Sequence, residues 1–492
     1  MFKLKTYKNQ KISEIHLVQI LFYSFPLAFI VGNLIVSLNL ILFIFASLFL
    51  IKRKQLKYRF NNLYWILIIF LAYFFSSTTL HFLIPELFWN SILSEVPTWK
   101  NQSDSERIYN FMNDNQPILR SFLILRFLIL IFVIDTLFFN KILNLKKFFF
   151  SSLICTSFVS VDIIFQYVNW TDIFGYKREG SWNMGPFGDE WIAGTYLKNF
   201  SFFSFFYLFM NYKNKNLNNF LIFILITTHL VAGFLSGNRM PMVLFIFGYV
   251  LTFLLMKNFR LIMSSSIIVF ILIFSFIVKN DPYYKNSYTS FKSFINILKI
   301  KNISENIQKE NGEEKEKESE ENSSNLEKDE MPKKIILLRQ SGHNRVFRTA
   351  IEMWKERPVT GFGFKSFRIK CAEIIEKDRK RKETENKAQD FTCANHPHNY
   401  YLELLSEAGI IGFILITLFF LIILKDSFIY LKKHTKKINS NIILLIPIII
   451  SFFLEIWPIK STGSFFTSWG ATFFWLNAAI LVSFLNEKKK FI

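Results

Sequence analysis

Long apolar stretches, parted by short lysine-rich connections, run through most of this chain. They fall at 15–32, 33–51, 63–84, 118–139, 148–168, 191–210, 219–235, 240–256, 261–278, 409–424, 440–457 and 468–486. Each is about long enough to cross ~30 Å of hydrocarbon. Only a helix satisfies its own backbone there, so the pattern predicts an all-α integral membrane protein of about 12 transmembrane helices. The first two stretches are divided only by Gly32-Asn33 and are read as a hairpin. The pattern is interrupted at 279–408, which predicts nine spans over 1–278, one large loop domain over 279–408, and three spans over 409–492.

Within the loop domain, 303–331 is acidic and almost without apolar residues, so a disordered insert is expected there. From 335 onward the sequence predicts an amphipathic helix and a turn from Pro358 to Gly363. A second helical stretch follows, and then CANHPHNYYLELLSEAG leads into the tenth span.

Charge sets the orientation. Lysine and arginine crowd alternate connections, at Lys52/Arg53/Lys54, Lys141/Lys146/Lys147, Lys213/Lys215, Lys257/Arg260 and Lys432/Lys433. The positive-inside rule then places both termini in the cytoplasm and the loop domain in the periplasm of a bacterial inner membrane. The basic N-terminus lacks a small-residue cleavage site after its apolar run and is read as a retained anchor. The net charge of +21 is scattered over these loops rather than gathered on a folded aromatic and basic module. That distribution excludes nucleic acid as a partner and favours the lipid bilayer with its anionic headgroups. A 51% hydrophobic composition with 61 Phe belongs to the same class.

Candidate chemistry gathers on the periplasmic side. Arg239, in Ser-Gly-Asn-Arg, stands at a tight turn near the bilayer surface. It reads either as a snorkelling arginine or as an anion ligand, since a guanidinium fork matches phosphate oxygens and keeps its charge. Arg345 and Arg348 lie on neighbouring positions of the helix HNRVFRTAIEMW, where surface ion pairing is the alternative to ligand binding. In His396-Pro397-His398-Asn399, the proline extends the chain and Asn399 is a favoured helix cap. His398 is thereby set at a helix N-terminus, where the dipole disfavours imidazolium and suits a general base; a loop-bonding histidine is the plainer reading. A metal on His396, His398 and Glu403 is a third reading, but the spacing follows no standard zinc pattern. Asp189-Glu190, where a periplasmic loop enters the sixth span, suits substrate hydroxyls or an arginine partner, with a metal as the remaining reading, and Lys177 and Arg178 in the same loop suit an anionic headgroup. Gly361-Phe362-Gly363 is a turn. Cys371 and Cys393 both fall in the periplasmic segment, where a disulfide closing their loop would contribute ~3 kcal/mol; two free thiols are the alternative. Cys155 reads as core.

The SGNR turn between two middle helices, and Arg345, RPVTGFGFKSF and HPHNYYLELLSEAGIIG in a large loop before the last spans, together resemble the O-antigen ligase and polymerase superfamily. The resemblance is most specific over 341–412, and the chain departs from the commoner Ser-Gly-Ser-Arg-Gly form at Asn238 and Met240. It implies a membrane glycosyltransferase that takes a glycan from an undecaprenyl-diphosphate carrier and passes it to lipid A-core, or to a second glycan in the polymerases, without cofactor or metal. It also implies that His398, Arg239 and Arg345 are catalytic. Arg348 and Arg368 are weaker matches for substrate binding, with His396, Asn399, Glu190 and Arg178 as further candidate contacts. The competing class is a transporter or flippase, whose path would use ionisable residues inside the spans, here Asp135, Asp162, His229 and Glu455.

Overall fold

A computed structural model of the chain describes residues 14–60, 62–83, 116–211, 215–287, 289, 342–385, 391–434, 440–461 and 463–488. The acidic stretch 303–331 and both chain ends lie outside the described residues.

The fold is all-helical. Its first part comprises α1 (Glu14–Tyr23), α2 (Phe25–Val31), α3 (Asn33–Lys54), α4 (Asn62–Leu83), α5 (Gln116–Phe122), α6 (Leu125–Phe139) and α7 (Leu145–Asn169). α8 (Ala193–Met210), α9 (Lys215–Leu235), α10 (Arg239–Leu255) and α11 (Arg260–Asn280) follow. The loop domain contributes α12 (Gly342–Glu356) and α13 (Phe367–Glu385), and the chain ends in α14 (Tyr400–His434), α15 (Ser440–Glu455) and α16 (Ser468–Lys488).

Among the described residues, eight helical segments are long and apolar enough to cross a membrane, or nine if α1 and α2, bent by 53°, form one span. The twelve expected segments are helical over most of their length, yet length and apolarity alone support eight or nine spans rather than twelve. α10 and α15 are short, at 17 and 16 residues, and α8 carries Lys198 and Asn199 in its middle. α8 tolerates those polar groups because it is the centre of the bundle. Fourteen of its 18 residues are buried, and it packs against α7, α9, α10 and α15.

Phenylalanine fills this interior by edge-on and stacked ring contacts, such as Phe29 with Phe200 at 5.4 Å and Phe200 with Phe473 at 5.1 Å. Two ionic nodes lock opposite ends of the bundle. At one, Arg59 donates to Asp135 Oδ1 from Nε at 3.0 Å and Nη2 at 2.7 Å, while Tyr64 and Asn486 donate to Oδ2. At the other, buried Glu455 pairs with both Lys198 and Lys460. Removing one partner of such a buried pair leaves an uncompensated charge. Asp135→Ala is therefore expected to cost about 3–5 kcal/mol, read as a lowered melting temperature of the purified protein.

The loop domain has a core of its own. Val346, Ala350 and Met353 of α12 meet Phe367, Ile369, Cys371 and Ile374 of the α13 region, with Phe362 of the turn between.

Candidate active site

α14 is two helices in one. Gly409, at φ 63° and ψ −170°, breaks it into a nine-residue segment, Tyr400 to Ala408, and the long span that follows. Asn399 caps the short segment by accepting from the Tyr401 and Leu402 amides at 3.0 and 3.2 Å. Its amide nitrogen donates to the carbonyls of Pro458 and Lys460 at 2.9 and 3.1 Å, so one side chain joins the helix start to the loop between α15 and α16.

His398 precedes that cap with φ 56°, a left-handed backbone that a residue other than glycine adopts at a cost. The conformation sets its ring 4.2 Å from that of His396 and 5.2 Å from that of His343, centroid to centroid. His343 opens α12, the helix that also carries Arg345 and Arg348. Arg345 is half-buried and its Nε has no hydrogen-bond partner among the described residues; Arg348 lies over the Phe391 ring at 5.4 Å.

α12 is tied to the stretch before His396 by reciprocal bonds. Thr349 Oγ1 donates to the Thr392 carbonyl at 3.0 Å and accepts from the Thr392 amide at 3.1 Å. Next to it, Cys393 is joined to Cys371 of α13 in a disulfide with Cα atoms 5.4 Å apart. Peptide mapping without reductant is expected to show this bridge. A Cys371→Ser/Cys393→Ser double variant is expected to lose about 3 kcal/mol of loop-domain stability, read as faster proteolysis of 342–398.

The short segment of α14 also carries two buried carboxylates on one face. Glu407 accepts from the amides of Lys365 and Phe367 at 2.8 and 3.4 Å, holding the start of α13. Glu403 accepts from Ser464 Oγ at 2.5 Å and the Phe465 amide at 2.6 Å, holding the loop before α16. Glu403 therefore serves as a clamp, and the metal reading that joined it to His396 and His398 is not what its contacts show. Among the described residues, no group of three or more His, Cys, Asp or Glu is arranged to hold a metal. Burial and the neighbouring Arg368 lower the Lys365 pKa, against the pull of Glu407. Arg368 Nε is buried without a hydrogen-bond partner among the described residues.

The SGNR turn lies between α9 and α10. Gly237, at φ 73°, packs directly under the Trp182 ring, where a Cβ would overlap the indole. Asn238 donates to the Trp191 carbonyl at 3.1 Å and accepts from the Gly194 amide at 2.9 Å, so it brackets this turn to the start of α8. Arg239 follows, exposed, with no side-chain partner among the described residues.

An open cleft of about 770 Å³ joins these parts. Met240, beside Arg239, lines it together with His343, Asn399, Tyr401, Pro458 and Lys460. Burial pulls the Lys460 pKa down to about 7; Glu455 opposes that, and Lys198 adds to it.

Other candidates stand elsewhere. Arg178 is buried, with Nη2 on Asp281 at 2.7 Å, Nε on the Gly180 carbonyl at 2.6 Å, and the rings of Tyr167, Trp170, Tyr283 and Tyr284 around it. It ties the loop before α8 to the end of α11 through Asp281. Glu190 and Asp189 are exposed. His343 and the bracket role of Asn238 were not visible in the sequence, because each depends on a partner at least 40 residues away.

The geometry meets an independent likeness. Residues 220–417 match the O-antigen ligase family, a stretch of less than half the chain that runs from α9 through the SGNR turn to the break in α14 and beyond. No curated protein matches the chain. The stretch that matches holds Arg239, Arg345, Arg368, His396 and His398, so the likeness to the O-antigen ligase family covers the candidate site itself.

Proposed function

We propose that this protein is a glycosyltransferase of the bacterial inner membrane that moves a glycan from undecaprenyl diphosphate to an acceptor hydroxyl on the periplasmic face, with O-antigen ligation to lipid A-core as the reaction. One observation carries the reading. The cleft is lined by Met240, the neighbour of Arg239, together with His343 and Asn399, the residue after His398. A cleft that adjoins both a phosphate-matching cation and an imidazole cluster suits a diphosphate leaving group and an acceptor hydroxyl.

In the proposed step, His398 takes the hydroxyl proton as the acceptor oxygen forms its bond to the anomeric carbon, on the face opposite the diphosphate. The carbon–oxygen bond to the diphosphate breaks, and its electron pair leaves with undecaprenyl diphosphate. Arg239 and Arg345 offset the charge that develops there, the task a metal performs elsewhere. The product is inverted, both chain ends are cytoplasmic, and α8, α10 and α15 count as spans that complete twelve.

The transporter reading has less support. Asp135 and Glu455 are held in ion pairs with Arg59, and with Lys198 and Lys460, as structural nodes are.

The test is transfer by the purified protein from an undecaprenyl-diphosphate glycan to lipid A-core, or to a second donor, with EDTA present. Product on lipid A-core makes it a ligase, and chain growth on the donor makes it a polymerase. Activity that disappears with EDTA would remove the arginine account of the leaving group, and a retained anomer would remove the single displacement.

A further inference from the structure

Beside the SGNR turn stands a surface that the reaction above leaves unused. Trp182 and Trp191 meet with ring centroids 3.8 Å apart, and Trp191 is 52% exposed. Both are fixed to the turn that carries Arg239: the Trp182 ring covers Gly237, and Asn238 holds the Trp191 carbonyl. Two exposed carboxylates, Asp189 and Glu190, immediately precede Trp191 and have no side-chain partner among the described residues. The backbone presents them rigidly, since the Glu190 amide donates to Phe187 and its carbonyl accepts from Ile192 at 2.8 Å.

We propose that Trp182, Trp191, Asp189 and Glu190 form a saccharide subsite that seats the sugar nearest the diphosphate of the donor, and so sets which glycans are accepted. The proposal rests on the lipid-diphosphate reading of Arg239. A pyranose has one face of C–H bonds and a rim of hydroxyls. Indole rings pack on the face and exclude water there, while carboxylates accept from hydroxyls in pairs. An isoprenoid seat would have no use for two unpaired carboxylates. The nearby exposed Trp170, Ile173, Phe174 and Tyr176 have the composition of an ordinary membrane-interface belt, whereas Asp189 and Glu190 set Trp191 apart. Two negative charges also select a neutral hexose or N-acetylhexosamine over a uronic acid. Asn238, which departs from the serine common at this position, is a positioning residue: its amide reaches both Trp191 and Gly194, and a serine hydroxyl is too short to reach both.

Binding of two radiolabelled probes to the full-length protein in detergent tests this. One is farnesyl diphosphate, and the other is farnesyl diphosphate carrying an N-acetylhexosamine disaccharide. Trp191→Ala and Asp189→Asn/Glu190→Gln are each expected to weaken the glycosylated probe by about tenfold while leaving the bare diphosphate unchanged, and Trp191→Phe should restore most of the loss. Equal loss of both probes, or loss of neither, would overturn the subsite while the lipid-diphosphate reading stands. A wild-type protein that binds neither probe would overturn both.

Discussion

Replacing His398 by asparagine is expected to lower glycan transfer by about 10²–10⁴-fold while leaving the fold intact, the range lost when a positioned general base is removed. Asparagine is the informative choice because His398 has φ 56°, and asparagine is among the few residues that enter the left-handed region readily. His398→Ala would remove the imidazole too, but would add about 1–2 kcal/mol of backbone strain next to the cap of α14. Comparing the two separates chemistry from local disorder. Both should lose activity equally, whereas only the alanine variant should melt earlier. Arg239→Ala should fall by about 10²–10³-fold with an unchanged melting temperature, since its exposed guanidinium has no partner among the described residues whose loss would unfold anything. Near wild-type turnover by His398→Asn would take the proton from His398 and give it to His343 or His396, whose rings adjoin it.

Much of the fold was legible because its signal is local. Span positions depend only on consecutive apolar residues, and the start of α14 on the proline, asparagine and acidic residue of HPHNYYLE. The site was legible as parts but not as an arrangement. No spacing rule links His343 to His398, which are 55 residues apart and meet because Thr349 and the disulfide hold α12 and α13 against the stretch before His396. The enclosure of Arg178 was hidden for the opposite reason. Its neighbours Lys177 and Glu179 are exposed, so the loop reads as wet, and the aromatic enclosure comes partly from Tyr283 and Tyr284 beyond α11.

Asn238 shows how a departure from a family pattern becomes readable only in three dimensions. In sequence it weakens the match to Ser-Gly-Ser-Arg. In the fold it supplies a donor and an acceptor to backbone groups 47 and 44 residues away. The family likeness points to a class of chemistry, while the deviation marks where this chain's own substrate preference is to be sought.

The largest structural effect is expected at Gly409. Its backbone, at φ 63° and ψ −170°, occupies a region essentially reserved for glycine. A Cβ there would overlap the Val359 carbonyl and stand 2.6 Å from the Gly361 amide nitrogen. Gly361 is constrained in return, since its own Cβ would lie 2.5 Å from the Glu407 carbonyl carbon. The two glycines let backbone dock on backbone. The Phe362 and Gly363 amides donate to the carbonyls of Ser406 and Glu407 at 3.1 and 2.8 Å, and the Ile410 amide donates to Pro358 at 2.9 Å. Tyr73 of α4 closes the joint by donating to the Ala408 carbonyl at 2.8 Å. Gly409→Ala combines strain with overlap at a contact that has no flexible side chain to yield. It is expected to cost on the order of 3–5 kcal/mol and to release the loop domain from the membrane bundle. Hydrogen exchange should then accelerate across 358–408 while the spans α6 to α11 keep their protection, and transfer should fall because His398 and Arg345 no longer share a fixed frame with Arg239. If Gly409→Ala kept wild-type exchange across 358–408, the backbone joint would not be what holds the loop domain to α14, and the clamps at Glu403 and Glu407 would have to carry that load.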